Sequence, residues 1–248
     1  MKYSVGGHLR SLLQAMRGGR SVALKKEPLH FLHIRKTSGT AIKYALTHTP
    51  CTERYEFKLH DHNTRLRDIP VGEKVVFFAR DPVTRFVSGF NSRKRQGQPR
   101  VFIPWSTGEA AAFALFKTPN ELGMALSAED AGRRQAARDA MGGIHHVKSS
   151  YWDWFENEAY LRSRFDDLYF IGFQESSDAD FETLRRRLNL PATVQLPTDD
   201  ERAHRTPAGM DTRLEPTAAN NLQVWYERDY DFLKLCLSMA NEINGFAK

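Results

Sequence analysis

Cysteine is scarce in this chain: there are two among 248 residues, Cys51 and Cys236, far apart and in no metal-ligand spacing. That excludes a disulfide framework and a thiolate zinc site, and it reads as buried or free thiols in a reducing compartment. No run of about 18 apolar residues occurs, so no transmembrane helix is expected. Met1 to Arg20 carries basic residues but only short apolar pieces such as Leu12-Leu13, and lacks a signal-peptide core. The phosphate loop G-x-x-x-x-G-K-[ST] is missing, as is a clear acidic motif for holding a metal. Internal repeats and low-complexity tracts are also missing.

What is present suits one sizeable α/β core, with 41% hydrophobic and 11% aromatic residues. The chain is expected to be a single domain over 1–248, with 1–27 as an amphipathic or poorly ordered lead-in broken at Gly18-Gly19. The formal charge of +6, from 36 basic and 30 acidic residues, suits anionic ligands without choosing among nucleotides, acidic glycans and nucleic acid.

The apolar run Phe31-Leu32-His33-Ile34 leads into Arg35-Lys36-Thr37-Ser38-Gly39-Thr40 and then into a helical pattern from Ala41 to Leu46. Strand, polar turn and helix N-terminus in that order suit either a purely structural turn or an anion site, the latter because the first amides of a helix are unpaired and the helix dipole favours negative charge there. Lys36 would add a cation, and Thr37, Ser38 and Thr40 would add hydroxyls. A second unit repeats the pattern. Lys74 to Ala79 reads as a strand, and Arg80-Asp81-Pro82 opens a helix with Asp81 as N-cap. Val83, Phe86, Val87 and Phe90 form its apolar stripe, while Asp81, Arg85 and Ser88 fall on a different, polar face. Arg80 sits at the strand–helix junction, where open α/β sheets bind ligands.

Strands are expected at 29–35, 55–60, 74–79 and 168–172, and helices at 39–47, 82–95, 109–117, 128–147, 181–190 and 216–242. Strands alternating with helices imply a parallel sheet. His145-His146 falls within the expected 128–147 helix and lacks partners for a metal site. The cluster Tyr151 to Phe155 suits either core or stacking on sugar rings.

These residues resemble sulfotransferases that use 3′-phosphoadenosine 5′-phosphosulfate (PAPS). Lys36-Thr37-Ser38-Gly39-Thr40 resembles their 5′-phosphosulfate loop. Arg80-Asp81-Pro82 with Arg85-Phe86 and Ser88-Gly89 resembles their 3′-phosphate motif. The carbohydrate group that includes the heparan and dermatan 2-O-sulfotransferases is closest, since its members carry His-x-His before the second motif and this chain has His60-Asp61-His62. Arg35 stands where that family usually has proline, and Ser38 where it has glycine or a varied small residue, so the turn is expected to be shaped differently.

The resemblance implies a P-loop-NTPase-like three-layer sandwich, a central parallel sheet between helices. It implies PAPS as co-substrate, PAP as product and no metal. Arg35, Lys36, Thr37, Ser38, Gly39, Thr40, Arg80 and Ser88 would bind the nucleotide, with Arg205 and Thr206 closing over it. Lys36 would sit by the bridging oxygen. His62 is favoured as the base, with His60 orienting it or meeting the acceptor. Arg93 and Arg95 would meet an anionic acceptor, expected to be a carbohydrate or glycolipid. The relatives carry a membrane anchor near the N-terminus. Its lack here points to a cytoplasmic, bacterial member or to a trimmed luminal domain, and leaves peripheral membrane contact and oligomeric state open. The rival functions are a kinase-like phosphotransferase and a basic nucleic-acid-binding module, the latter without a recognised motif.

Overall fold

The sheet has four parallel strands in the order β2-β1-β3-β4. They are β1 (Glu27–Leu32), β2 (Tyr55–Leu59), β3 (Lys74–Ala79) and β4 (Leu168–Phe173). The computed structural model describes residues 26–49, 52–99, 101–198 and 209–245. The expected lead-in, Cys51, Arg205 and Thr206 therefore lie outside the described residues, apart from Lys26 and Glu27.

The helices are α1 (Gly39–Thr47), α2 (Pro82–Lys94), α3 (Thr107–Leu115), α4 (Pro119–Ala125), α5 (Ala131–Gly143), α6 (Trp152–Phe155), α7 (Glu158–Ser163), α8 (Ser177–Arg187), α9 (Pro216–Trp225) and α10 (Glu227–Gly245). No helix among the described residues is long and apolar enough to cross a membrane.

Both faces of the sheet are covered, as parallel sheets require. Leu29 and Phe31 of β1 join Val76, Phe78 and Phe170 in packing against α1 and α8. Leu32, Val75, Phe77, Ala79 and Ile171 pack on the other face against α6, α7 and α10. A third cluster joins α2 through its stripe of Val83, Phe86, Val87 and Phe90 to α3, α4, α5 and α9. The aromatic cluster belongs to the core: Tyr151 stacks on Phe232 at 4.6 Å, and Trp154 and Phe155 are buried.

Several elements differ from the sequence expectation for local reasons. The expected 128–147 helix starts at Ala131, where Asp130 accepts a hydrogen bond from the Arg133 amide, and stops at Gly143. His145 and His146 lie in the turn beyond it rather than in the helix. The expected final helix is two, parted at Tyr226, whose hydroxyl donates to the Val147 carbonyl. Helix α4 was not anticipated, although Thr118 caps it and Pro119 opens it. The polar face expected of α2 is not solvent-facing at Arg85. That guanidinium is buried in an ion pair with Asp229 of α10 at 3.2 Å, because α2 is packed on both sides.

The strand order places the site. From β1 the chain crosses to β2 on one side, then back past β1 to β3 on the other. The crevice outside the C-terminal ends of β1 and β3 lies at that reversal, where open α/β sheets take ligands.

Candidate functional site

The turn after β1 is held by its carbonyls. Arg85 Nε donates to the Arg35 carbonyl and Arg80 Nη1 to the Lys36 carbonyl, both at 3.3 Å. The Thr37 hydroxyl donates to the Ile34 carbonyl at 3.1 Å. A trans peptide sets each N–H opposite the preceding carbonyl. The amides of Lys36 and Thr37 therefore point away from the two arginines. Lys36 and Ser38 both adopt the left-handed conformation, with φ of 67° and 64°. Such backbone costs on the order of 1 kcal/mol per residue and concentrates at ligand-binding turns. Ser38 is the N-cap of α1, yet its side chain makes no capping bond. Asp81, by contrast, caps α2 through the Thr84 amide at 2.8 Å. The positive end of α1 is thus not capped by a side chain, and its Ala41 amide bonds the Ser38 carbonyl at 3.0 Å.

One pocket unites the two motifs. Arg35, Lys36, Ser38, Gly39 and Thr40 line it from the first unit, and Arg80 and Ser88 from the second. His62 lines it as well. The end of β4 and start of α8 add Gln174, Ser177 and Asp178, and the following loop adds Leu196 and Pro197. Tyr151 fixes the second junction: its hydroxyl donates to the Arg80 carbonyl at 2.6 Å and accepts from the Arg80 amide at 2.9 Å.

Arg35, Lys36 and Arg80 make the pocket electropositive. Burial, with Arg95 and Arg80 nearby, pushes the Lys36 ammonium down to about 7. Burial also lowers Arg80 and Arg35. His62 donates from Nδ1 to the His33 carbonyl at 3.1 Å, which leaves Nε2 as the lone-pair nitrogen of the neutral ring. Burial pushes this imidazole down to about 4, and Arg35 and Lys43 add to the effect. It is neutral across the physiological range.

Not every expected residue reaches the pocket. Thr37 is buried beneath the turn with its hydroxyl turned inward. His60 parts from His62. The Asp61 carboxylate accepts from the Asn63 and Thr64 amides and turns the chain just beyond β2, so the two histidines do not share a face. His60 Nε2 instead lies 2.7 Å from His30 Nδ1, and His30 Nε2 lies 2.6 Å from Glu73. Arg93 is a correction: it is buried against Glu109, with Nε and Nη2 at 2.6 and 2.8 Å from the carboxylate, and so cannot face an acceptor. Arg95 does not line the pocket, although its charge acts on Lys36 and its buried Nη1 has no hydrogen-bond partner.

Two histidines in the site were not anticipated. His33 packs against His62 with the rings tilted by 45° and 3.9 Å between centroids, and its ring lies over Gly39. A Cβ at Gly39 would lie 2.0 Å from His33 Cδ2, so glycine is required there by the ring and not by the helix. His146 lines the pocket beside Ser88, and its Nδ1 is buried without a partner. Burial and the Lys36 charge push that ring down to about 2. A Cβ at Gly89 would approach the His146 carbonyl to 3.1 Å, so this glycine allows the turn after α5 to close on α2. The pair His145-His146 was visible in the sequence, but its long-range placement was not. Comparison with protein-family models, curated proteins and solved structures returned no match for this chain.

Proposed function

We propose that this chain is a PAPS-dependent sulfotransferase with a P-loop-NTPase-like three-layer fold, acting on a hydroxyl of a carbohydrate or glycolipid. The observation that supports this reading is the meeting of the Lys36 turn and the Arg80–Ser88 unit in one cationic pocket, with His62 in its wall. Sulfuryl transfer by in-line displacement needs positioning and charge stabilisation more than covalent chemistry.

In this reading the donors of Ser38, Gly39 and Thr40 hold the 5′-phosphosulfate. Arg80 and Ser88 hold the 3′-phosphate, and Leu196 and Pro197 offer apolar surface to the base. The acceptor oxygen attacks sulfur as the bond from sulfur to the bridging oxygen breaks. Lys36 neutralises the charge that appears on the leaving 5′-phosphate. The acceptor proton passes to His62 Nε2. A ring held at about 4 is a weak base, but the negative donor beside it raises its proton affinity. The base is thus strengthened when the donor is in place.

Titration calorimetry with PAP and 5′-AMP tests the assignment. A charge-assisted hydrogen bond contributes ~1.5–3 kcal/mol, so PAP should bind roughly 10- to 100-fold more tightly. Equal affinities would overturn the reading.

A further inference from the structure

The segment between α2 and α3 carries the least expected surface of the molecule. Val101, Phe102 and Ile103 are 55%, 59% and 50% exposed, and Trp105 is 36% exposed. Every residue from Val101 to Gly108 is exposed. An extended segment lying on a core would hide alternate side chains, so this one projects. The stretch Val101-Phe102-Ile103-Pro104-Trp105 bears no charge and no hydroxyl.

The projection is built. The Ile103 amide donates to the Gln96 carbonyl at 2.8 Å, and the Trp105 indole donates to the Arg93 carbonyl at 2.7 Å. Arg93, locked against Glu109, donates to the Ile103 and Pro104 carbonyls at 3.4 and 3.1 Å. A buried ion pair thus holds in shape a loop whose apolar side chains face water. Exposed apolar surface that the fold keeps ordered marks a contact site. Cations stand at its root: Lys94 and Arg95 precede it in the chain, and Lys94 donates to the carbonyl of the exposed Lys117. An apolar, aromatic tip with basic residues behind it matches the layering of an anionic bilayer, acyl chains beyond headgroup phosphates. A projecting tip also enters a fluid phase without needing a matching hollow on a partner.

We propose that the segment Val101 to Trp105 docks this protein on an anionic lipid surface by inserting Val101, Phe102 and Ile103 at the interface, with Trp105 holding the segment against Phe113. The proposal stands on the loop alone and holds whatever the pocket binds.

The test is flotation of the full chain with vesicles of phosphatidylcholine, alone or mixed with phosphatidylglycerol, without nucleotide. The chain should rise with the mixed vesicles and far less with phosphatidylcholine, and the fraction bound should fall as salt is raised. Phe102→Ser with Ile103→Ser should lower vesicle affinity at least about tenfold. Circular dichroism and PAP binding of this variant should be unchanged, since both side chains are exposed. No flotation of the wild type, or equal flotation of wild type and variant, overturns the proposal. So does a wild-type dimer that the variant abolishes without any vesicle binding, which would assign the loop to a second copy of the chain.

Discussion

The charge on Lys36 is the most sensitive reporter of the site. Burial beside Arg95 and Arg80 leaves its ammonium at about 7, so near neutral pH the empty pocket holds it half protonated. A nucleotide phosphate beside it favours the charged form and returns it toward the ordinary lysine value of ~10.4. A group whose pKa rises on binding takes up protons, and affinity then falls as pH climbs above the free-state value. From pH 7 to pH 9 the neutral fraction of free Lys36 grows from about one half to about 99%, so PAP should bind roughly 50-fold more weakly at pH 9, or about 2.3 kcal/mol. This window also lies above the second ionisation of a phosphate monoester, near 6. Calorimetry in two buffers of different ionisation enthalpy counts the protons directly: about half a proton taken up at pH 7 and about one at pH 8.5. Lys36→Met should bind PAP more weakly at pH 7 and lose the pH dependence. A dissociation constant that is flat from pH 7 to 9 would refute the reasoning, as would a Lys36→Met variant that keeps the slope.

Two further outcomes follow from the same geometry. His62→Gln should abolish turnover and leave the PAP dissociation constant within about twofold, since the ring is proposed to meet the acceptor hydroxyl and not the nucleotide; a variant that keeps turnover would show that another group is the base. Glu109→Gln strands the Arg93 guanidinium and should cost about 3–5 kcal/mol in urea unfolding. Burial favours the neutral carboxyl, but hydrogen bonds from Arg93 and from the Ser106 and His145 amides outweigh it and hold Glu109 down to about 2. Its contribution is therefore complete above the unfolded value near ~4.3 and is lost as pH falls from there through about 2; an unchanged unfolding midpoint in the variant would remove the pair from the stability of the fold.

The strand–turn–helix units were legible because each is local. An apolar run leading into a polar turn marked β1 with α1, a Val- and Phe-rich run followed by Asp81-Pro82 marked β3 with α2, and the α1 limits agree with the expectation. What was not legible depends on chain far away. The polar face of α2 gives no sign of its buried partner until α10 supplies Asp229. The cluster Arg93 to Arg95 reads as a basic helix end until Glu109 buries its first member. His60 and His62 read as one face of an extended segment, because the turn made by the Asp61 carboxylate leaves little trace in hydropathy. His146 reaches the pocket only because Gly89 lets the turn after α5 approach α2, a contact between elements well separated in sequence.

The Arg85 clamp has a consequence for biosynthesis. One guanidinium ties the Arg35 carbonyl of the anion turn, the Ser149 carbonyl and the Asp229 carboxylate. A nascent chain makes the turn well before the carboxylate. While α10 is still in the ribosomal tunnel, Arg85 lacks its counter-charge and the turn lacks its fixed clamp. Both strand–turn–helix units are then synthesised, yet the pocket is without its tether to α10. The clamped form of the pocket therefore waits on the synthesis of α10, and a chain broken off before Asp229 would carry the recognisable motifs without the clamp that holds the turn.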